Sequence, residues 1–215
     1  EKMSFCNNQQ TDRCPGNING NPMSGLCEKV CVQVKKVYDA CIMQNSVENL
    51  DVCIANLTPS SPAFPLTFVS GHSTSNEGDI TSLTVTPIPD KPGLSRVEAT
   101  ILIPIKIDYL DNNSTKGSGV GYITVNQDVI MCVPTGSMVT PDVVATVHVT
   151  MPTGVYKCPE PKVTFTVTAC ITVVMKVEAE VDLLIPSYGY CRIPQCTEYG
   201  QDSCQDTFEM PLFPV

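Results

Sequence analysis

Twelve cysteines in 215 residues are the side chains of this sequence best equipped for chemistry. Thiols either pair oxidatively or ligate metal, and spacing separates the two uses. Structural zinc takes close pairs such as C-x2-C, with a second pair or histidines completing a tetrahedron. Here the tightest spacings are C-x3-C at Cys27 and Cys31 and C-x4-C at Cys191 and Cys196, beside only two histidines, His72 and His148. Disulfides are therefore the expected use, and no metal or other cofactor is expected. The cysteine density approaches that of oxidised extracellular frameworks. A chain of this length can bury a core without such staples, so some of them are free to link it to other chains.

The cysteines fall into three groups along the chain. Cys6 and Cys14 lie near the start, Cys191, Cys196 and Cys204 near the end, and Cys27, Cys31, Cys41, Cys53, Cys132, Cys158 and Cys170 between. The middle group is odd in number, so if all twelve pair, at least one bond joins a terminal segment to the middle. Cys27 and Cys31 share a face of one predicted strand, about 13 Å apart, and a disulfide needs Cα atoms within about 7 Å. These two must find other partners. Six bonds within one chain would satisfy every cysteine. Bonds to neighbouring subunits would do so as well, and the terminal five are the candidates because they lie outside regular strands. The seven middle cysteines are expected to pair within the chain or to receive a terminal segment.

Other chemistry is poorly supplied. Cysteine or serine nucleophiles usually need a histidine base. His72 sits in a Gly/Ser stretch read as a loop, and His148 alternates with Val147 and Val149 as a surface strand residue. Gly117-Ser118-Gly119-Val120-Gly121 lacks a following helix whose N-terminus could hold a phosphate. No catalytic residue is expected, and the chain reads as a non-enzyme. Its net charge of −9, with no basic run longer than Lys35-Lys36, gives no footprint for nucleic acid or an anionic membrane surface. No stretch reaches the roughly 18–20 apolar residues of a membrane-spanning helix. Glu1-Lys2-Met3 opens straight into polar sequence without an apolar leader.

The elements that must position the cysteines are strands. Residues 26–35 alternate apolar and polar, and Val37–Met43 and Val47–Leu57 read as two further short strands. Leu66–Ser70 and Ile80–Pro87 follow among Pro- and Gly-broken loops. Val97 to Asp111 alternates cleanly, the 112–117 turn follows, and Gly119–Val133 runs back as a long hairpin. In it Val97, Ile101, Ile103, Ile105 and Ile107 should face inward, with Lys106 and Asp108 outward. Pro141–Met151 and Thr164–Ile185 complete nine or ten strands. The expected fold is all-β, an antiparallel β-sandwich of jelly-roll type over residues 26–186. A polar arm (1–25) precedes it and a cysteine-rich arm (187–215) follows. The first arm is too polar to offset the entropy of ordering alone, so it should fold only against another subunit. The apolar ending Phe208–Val215 should dock on the chain's own core or on a neighbour.

Two segments carry a resemblance. Cys27-Glu-Lys-Val-Cys-Val-Gln-Val-Lys-Lys-Val-Tyr-Asp-Ala-Cys41, with its K-V-Y-D-x-C core from Lys36 to Cys41, and Pro186-Ser-Tyr-Gly-Tyr-Cys191 resemble cysteine-rich spore-surface proteins of spore-forming Firmicutes, Clostridia above all. The resemblance, to coat, exosporium or appendage proteins, implies a subunit that self-assembles into a fibre or layer on the spore surface or outside the cell. In such an assembly arms are exchanged and disulfides give durability. It implies partners that are copies of the same chain, and deposition from a mother cell without an export signal. Cys6 and Cys14 would match the cysteine-bearing connector of appendage subunits, while the cysteine-rich C-terminal arm departs from that plan. The rival reading is a monomeric, disulfide-stapled adhesin or carbohydrate-binding sandwich; a hydrolase is a second rival, weakened by the absence of any Trp for stacking on sugars.

Overall fold

The computed structural model describes residues 21–23, 26, 28–136, 138–159 and 162–190. The expectations for residues 1–20 and 191–215 lie outside these. Two compact units divide the chain, one of residues 35–181 and one combining 1–34 with 182–215. Every regular element among the described residues is a strand: β1 (Glu28–Thr58), β2 (Thr67–Ser73), β3 (Glu77–Pro87), β4 (Leu94–Leu110), β5 (Lys116–Cys132), β6 (Asp142–Cys158) and β7 (Val163–Ser187). The all-β, antiparallel expectation holds. The strands form one sheet in the order β2-β4-β3-β6-β7-β1-β5, and further β4–β5 and β2–β6 pairings return it on itself.

Within residues 35–181 the core follows from alternation. Side chains on a strand point to opposite faces in turn, and every odd position of β4 from Ser95 to Tyr109 is buried. Val97, Ile101, Ile103, Ile105 and Ile107 are fully buried, as their pattern predicts. Lys106 and Asp108 lie on the other face, where they form an ion pair at 3.0 Å. β4 and β5 pair without a break from Leu94↔Cys132 to Leu110↔Lys116, the predicted hairpin. Its turn is capped by Asp111, whose Oδ1 accepts the Asn113 and Thr115 amides at 2.8 and 2.7 Å. These bonds, Thr115 first, hold its carboxyl below the ordinary value of 3.8.

β2 and β3 lie end to end along one side of β4. Their junction falls at Pro104, which has no N–H to offer a ladder, and its carbonyl accepts the Thr74 amide at 3.0 Å. His72 is here a strand residue of β2, opposite Lys106 and Thr150. The Gly/Ser neighbours that suggested a loop instead allow close packing, since a Cβ on Gly71 would meet Met151 Sδ at 2.7 Å.

β1 is one strand where three were expected, because Lys35-Lys36 and the polar run Gln44–Ser46 hide its continuity. Asn49 adopts φ 56°, a left-handed conformation Asn tolerates better than most residues. The inward-facing set changes parity there: Cys41, Met43 and Val47 before it, Leu50, Val52 and Ile54 after it. In the smaller unit, Tyr188 Oη donates to the Pro22 carbonyl. The Gly189 amide donates to Ser187 Oγ at 2.9 Å.

Candidate functional site

Cys31, Cys41, Cys53, Cys132, Cys158 and Cys170 lie among the described residues and each is a free thiol there. Cys6, Cys14, Cys27, Cys191, Cys196 and Cys204 lie outside them. The outer face of β1, β7 and β6 gathers three of the six described thiols. On β1, Cys53 is exposed, and its Sγ lies 3.5 Å from Thr164 Oγ1 on β7. Thr164 gives its single hydroxyl proton to the Lys162 carbonyl at 2.8 Å, so the Cys53 S–H is the donor to Thr164. Across β7, Cys158 on β6 is the register partner of Thr164. Two thiols thus flank one threonine from opposite strands. They stand two strand spacings apart, about 9.6 Å, beyond the reach of a disulfide. Cys170 is exposed on the same strand and face as Thr164, about 20 Å further along.

An ion pair edges this surface. Asp51, two residues before Cys53, accepts Thr166 Oγ1 at 2.6 Å and pairs with Lys157. The Lys157 bond, then the Thr166 bond, lowers the Asp51 carboxyl. The Asp51 partner raises the Lys157 ammonium, and Cys158 and Cys53 add smaller contributions. Lys157 therefore stands beside both thiols.

Cys41 and Cys132 occupy a different setting. Cys41 is half-buried against the core, and burial first, then the Asp39 charge, pushes its thiol up. Asp39 reaches β5, where its Oδ2 accepts the Cys132 amide at 2.7 Å. Cys132 alternates away from fully buried Met131, so the two thiols point to opposite faces. Cys31 is exposed on β1 in the smaller unit.

The seam that holds Cys53 in place is tight. Gly121 on β5 pairs with Ile54, and a Cβ on it would lie 2.4 Å from the Cys53 carbonyl oxygen. The Gly117–Gly121 stretch thus serves backbone approach between β5 and β1. Both histidines are exposed strand residues, His148 opposite Thr172 on β7. Among the described residues no three His, Cys, Asp or Glu side chains converge on a common point. The flanking of Thr164 by Cys53 and Cys158 was not legible in the sequence, since the three positions are brought together only by strand order.

The chain is similar to Exosporium protein A of Clostridium sporogenes (strain ATCC 15579), 22% identical over 231 residues that cover 86% of this chain and 72% of that protein. A clostridial spore-surface protein is thus a distant relative, in agreement with the resemblance carried by Lys36–Cys41 and Pro186–Cys191. No family model matches the chain, and no solved structure matches it.

Proposed function

We propose that this chain is a structural, non-catalytic subunit of the spore surface that assembles with copies of itself into a disulfide-stabilised layer or fibre. The observation that carries the proposal is the placement of Cys53, Cys158 and Cys170 on one outward face, too far apart to bond one another. Oxidised bonds at these positions must therefore come from elsewhere, either a terminal segment of the same chain or one from a neighbour. Similarity to an exosporium protein supplies the location. The terminal cysteines Cys6, Cys14, Cys191, Cys196 and Cys204 are the donors in this reading, and the outer-face thiols are their receptors.

Covalent closure of such contacts gives durability. Each bond restricts the unfolded chain by on the order of 3–5 kcal/mol. A subunit tied at several points also cannot leave after local unfolding. The test is electrophoresis of the oxidised assembly in hot detergent without reductant. The parent should remain as a ladder or fail to enter the gel, and both should collapse to monomer with reductant. Replacing the five terminal cysteines by serine should leave a folded chain that runs as monomer under both conditions. A variant as resistant as the parent overturns the assignment of donors, and a sharp monomer from the parent favours the stapled binding module.

A further inference from the structure

The ladder of β3 is one-sided. From Ser82 to Pro87 it pairs with β4, Ser82↔Thr100 through Pro87↔Ser95. Its contact with β6 is confined to Glu77↔Thr146 and Gly78↔Ala145. Its only sheet neighbours are these two strands, so among the described residues the far edge of Thr81–Pro87 is open. The direction of the backbone groups follows from one bond. The Ile88 amide donates to the Leu94 carbonyl at 3.0 Å, continuing the same register. Because bonded positions alternate along an antiparallel strand, Thr86, Thr84 and Ser82 are bonded to β4. Leu83 and Val85 then turn their N–H and C=O to the open edge.

Such an edge is a template for another strand unless charge, proline or a covering segment blocks it. Here every residue from Thr81 to Pro87 is exposed, including Leu83 at 44% and Val85 at 37%. Ile80 to Pro89 carries no charged residue, in a chain whose net charge is −9. Pro87 sits at the end of the strand and leaves the middle unprotected.

We infer that this edge is a self-docking strand: two copies of the chain pair their β3 edges antiparallel about Thr84. The sequence Thr81-Ser-Leu-Thr-Val-Thr-Pro87 is complementary to itself in that register. Thr84 meets Thr84, Ser82 meets Thr86, and Leu83 meets Val85 twice. Each Leu83–Val85 pair brings together edge-facing backbone groups, which exchange two hydrogen bonds, and two apolar side chains on one face. No like charges are opposed. The contact is isologous and closes as a pair, so a polymer needs a second kind of contact. This inference rests on the self-assembly reading, in which disulfides are that second contact.

The test keeps the two contacts apart by using the full-length chain in a phosphine reductant. Sedimentation from about 1 µM to about 1 mM should show a concentration-dependent dimer. L83K/V85K sets lysine against lysine across the axis and should weaken the dimer by about tenfold or more. L83E/V85E should do the same with glutamates, and an equimolar mixture of the two should dimerise again as a mixed pair. Equal dimerisation of parent and variants, or no rescue on mixing, overturns the inference. Amide hydrogen exchange on the parent needs no substitution. The Leu83 and Val85 amides should exchange fast at low concentration and slow at high concentration, while Thr84 and Thr86 stay protected throughout. Exchange at Leu83 and Val85 that ignores concentration, or a parent monomeric across the range, also overturns it. A reduced dimer that forms no disulfide between copies on oxidation sinks the cross-linking reading alone. Disulfide-linked copies that are monomeric when reduced sink this inference alone.

Discussion

Replacing Gly121 by alanine presses on the seam where β5 meets β1. The added Cβ would lie 2.4 Å from the Cys53 carbonyl oxygen, a backbone atom that no rotamer change can move. Ordinary contact needs about 3.4 Å or more between such atoms, so the strands must part by about 1 Å across the Ile54↔Gly121 pair. Ile54 is buried there, and parting the strands loosens its packing. The upper part of the overpacking range, about 2–3 kcal/mol, is expected. For a unit of residues 35–181 each kcal/mol lowers Tm by about 2–4 °C, so the loss should be about 5–10 °C. The assay is thermal unfolding of the reduced full-length chain followed by circular dichroism. Gly93→Ala is the control: φ is +86° and nothing lies within 4 Å of its Cβ, so it registers backbone strain alone, about 1 kcal/mol. Gly121→Ala costing no more than Gly93→Ala would refute the close approach of β1 and β5 at Cys53.

Thiol reactivity should follow exposure: with the reduced folded chain, timed alkylation read by mass spectrometry should label Cys31, Cys53 and Cys170 early and Cys41 last. Equal rates at Cys41 and Cys53 would contradict their placement. Asp111, with its carboxyl held below 3.8, contributes stability that is present above its unfolded pKa and lost as pH falls through the lower folded value. Tm should therefore fall more steeply below about pH 4 in the parent than in Asp111→Asn, and parallel curves would contradict the cap. The Gln127 side-chain amide is buried with no hydrogen-bond partner among the described residues. Gln127→Met should therefore raise stability by about 1 kcal/mol, and a loss would show that the amide is satisfied.

Much of the fold was legible wherever period-2 alternation ran unbroken. The β4–β5 hairpin was read from the Val97–Tyr109 pattern and its Asn/Gly-rich turn, and its register is continuous over seventeen pairs. β7 was read as one strand, Thr164–Ile185 against the observed Val163–Ser187. β1 was read as three pieces because Lys35-Lys36 and the polar Gln44–Ser46 both interrupt its apolar alternation. The loop reading of His72 failed because Gly71, a turn former in most contexts, here admits the Met151 side chain, while Ser73 Oγ accepts the Val149 amide of β6. The candidate site was half legible. Cysteine number and spacing pointed to cross-linking, but grouping on one face is a product of strand order. Cys53 and Thr164 are 111 residues apart in the chain, and no local pattern joins them.

The proposed assembly stands on disulfides that join one copy of this chain to another. It is tested most directly by assembling an equal mixture of nitrogen-14 and nitrogen-15 labelled chain under oxidising conditions. The product is then digested without reduction and its disulfide-linked peptides are weighed. Linked peptides carrying one light and one heavy partner should appear, joining the terminal segments that hold Cys6, Cys14, Cys191, Cys196 or Cys204 to Cys53, Cys158 or Cys170. Disulfide peptides that are all light or all heavy would place every bond within a single chain and contradict it.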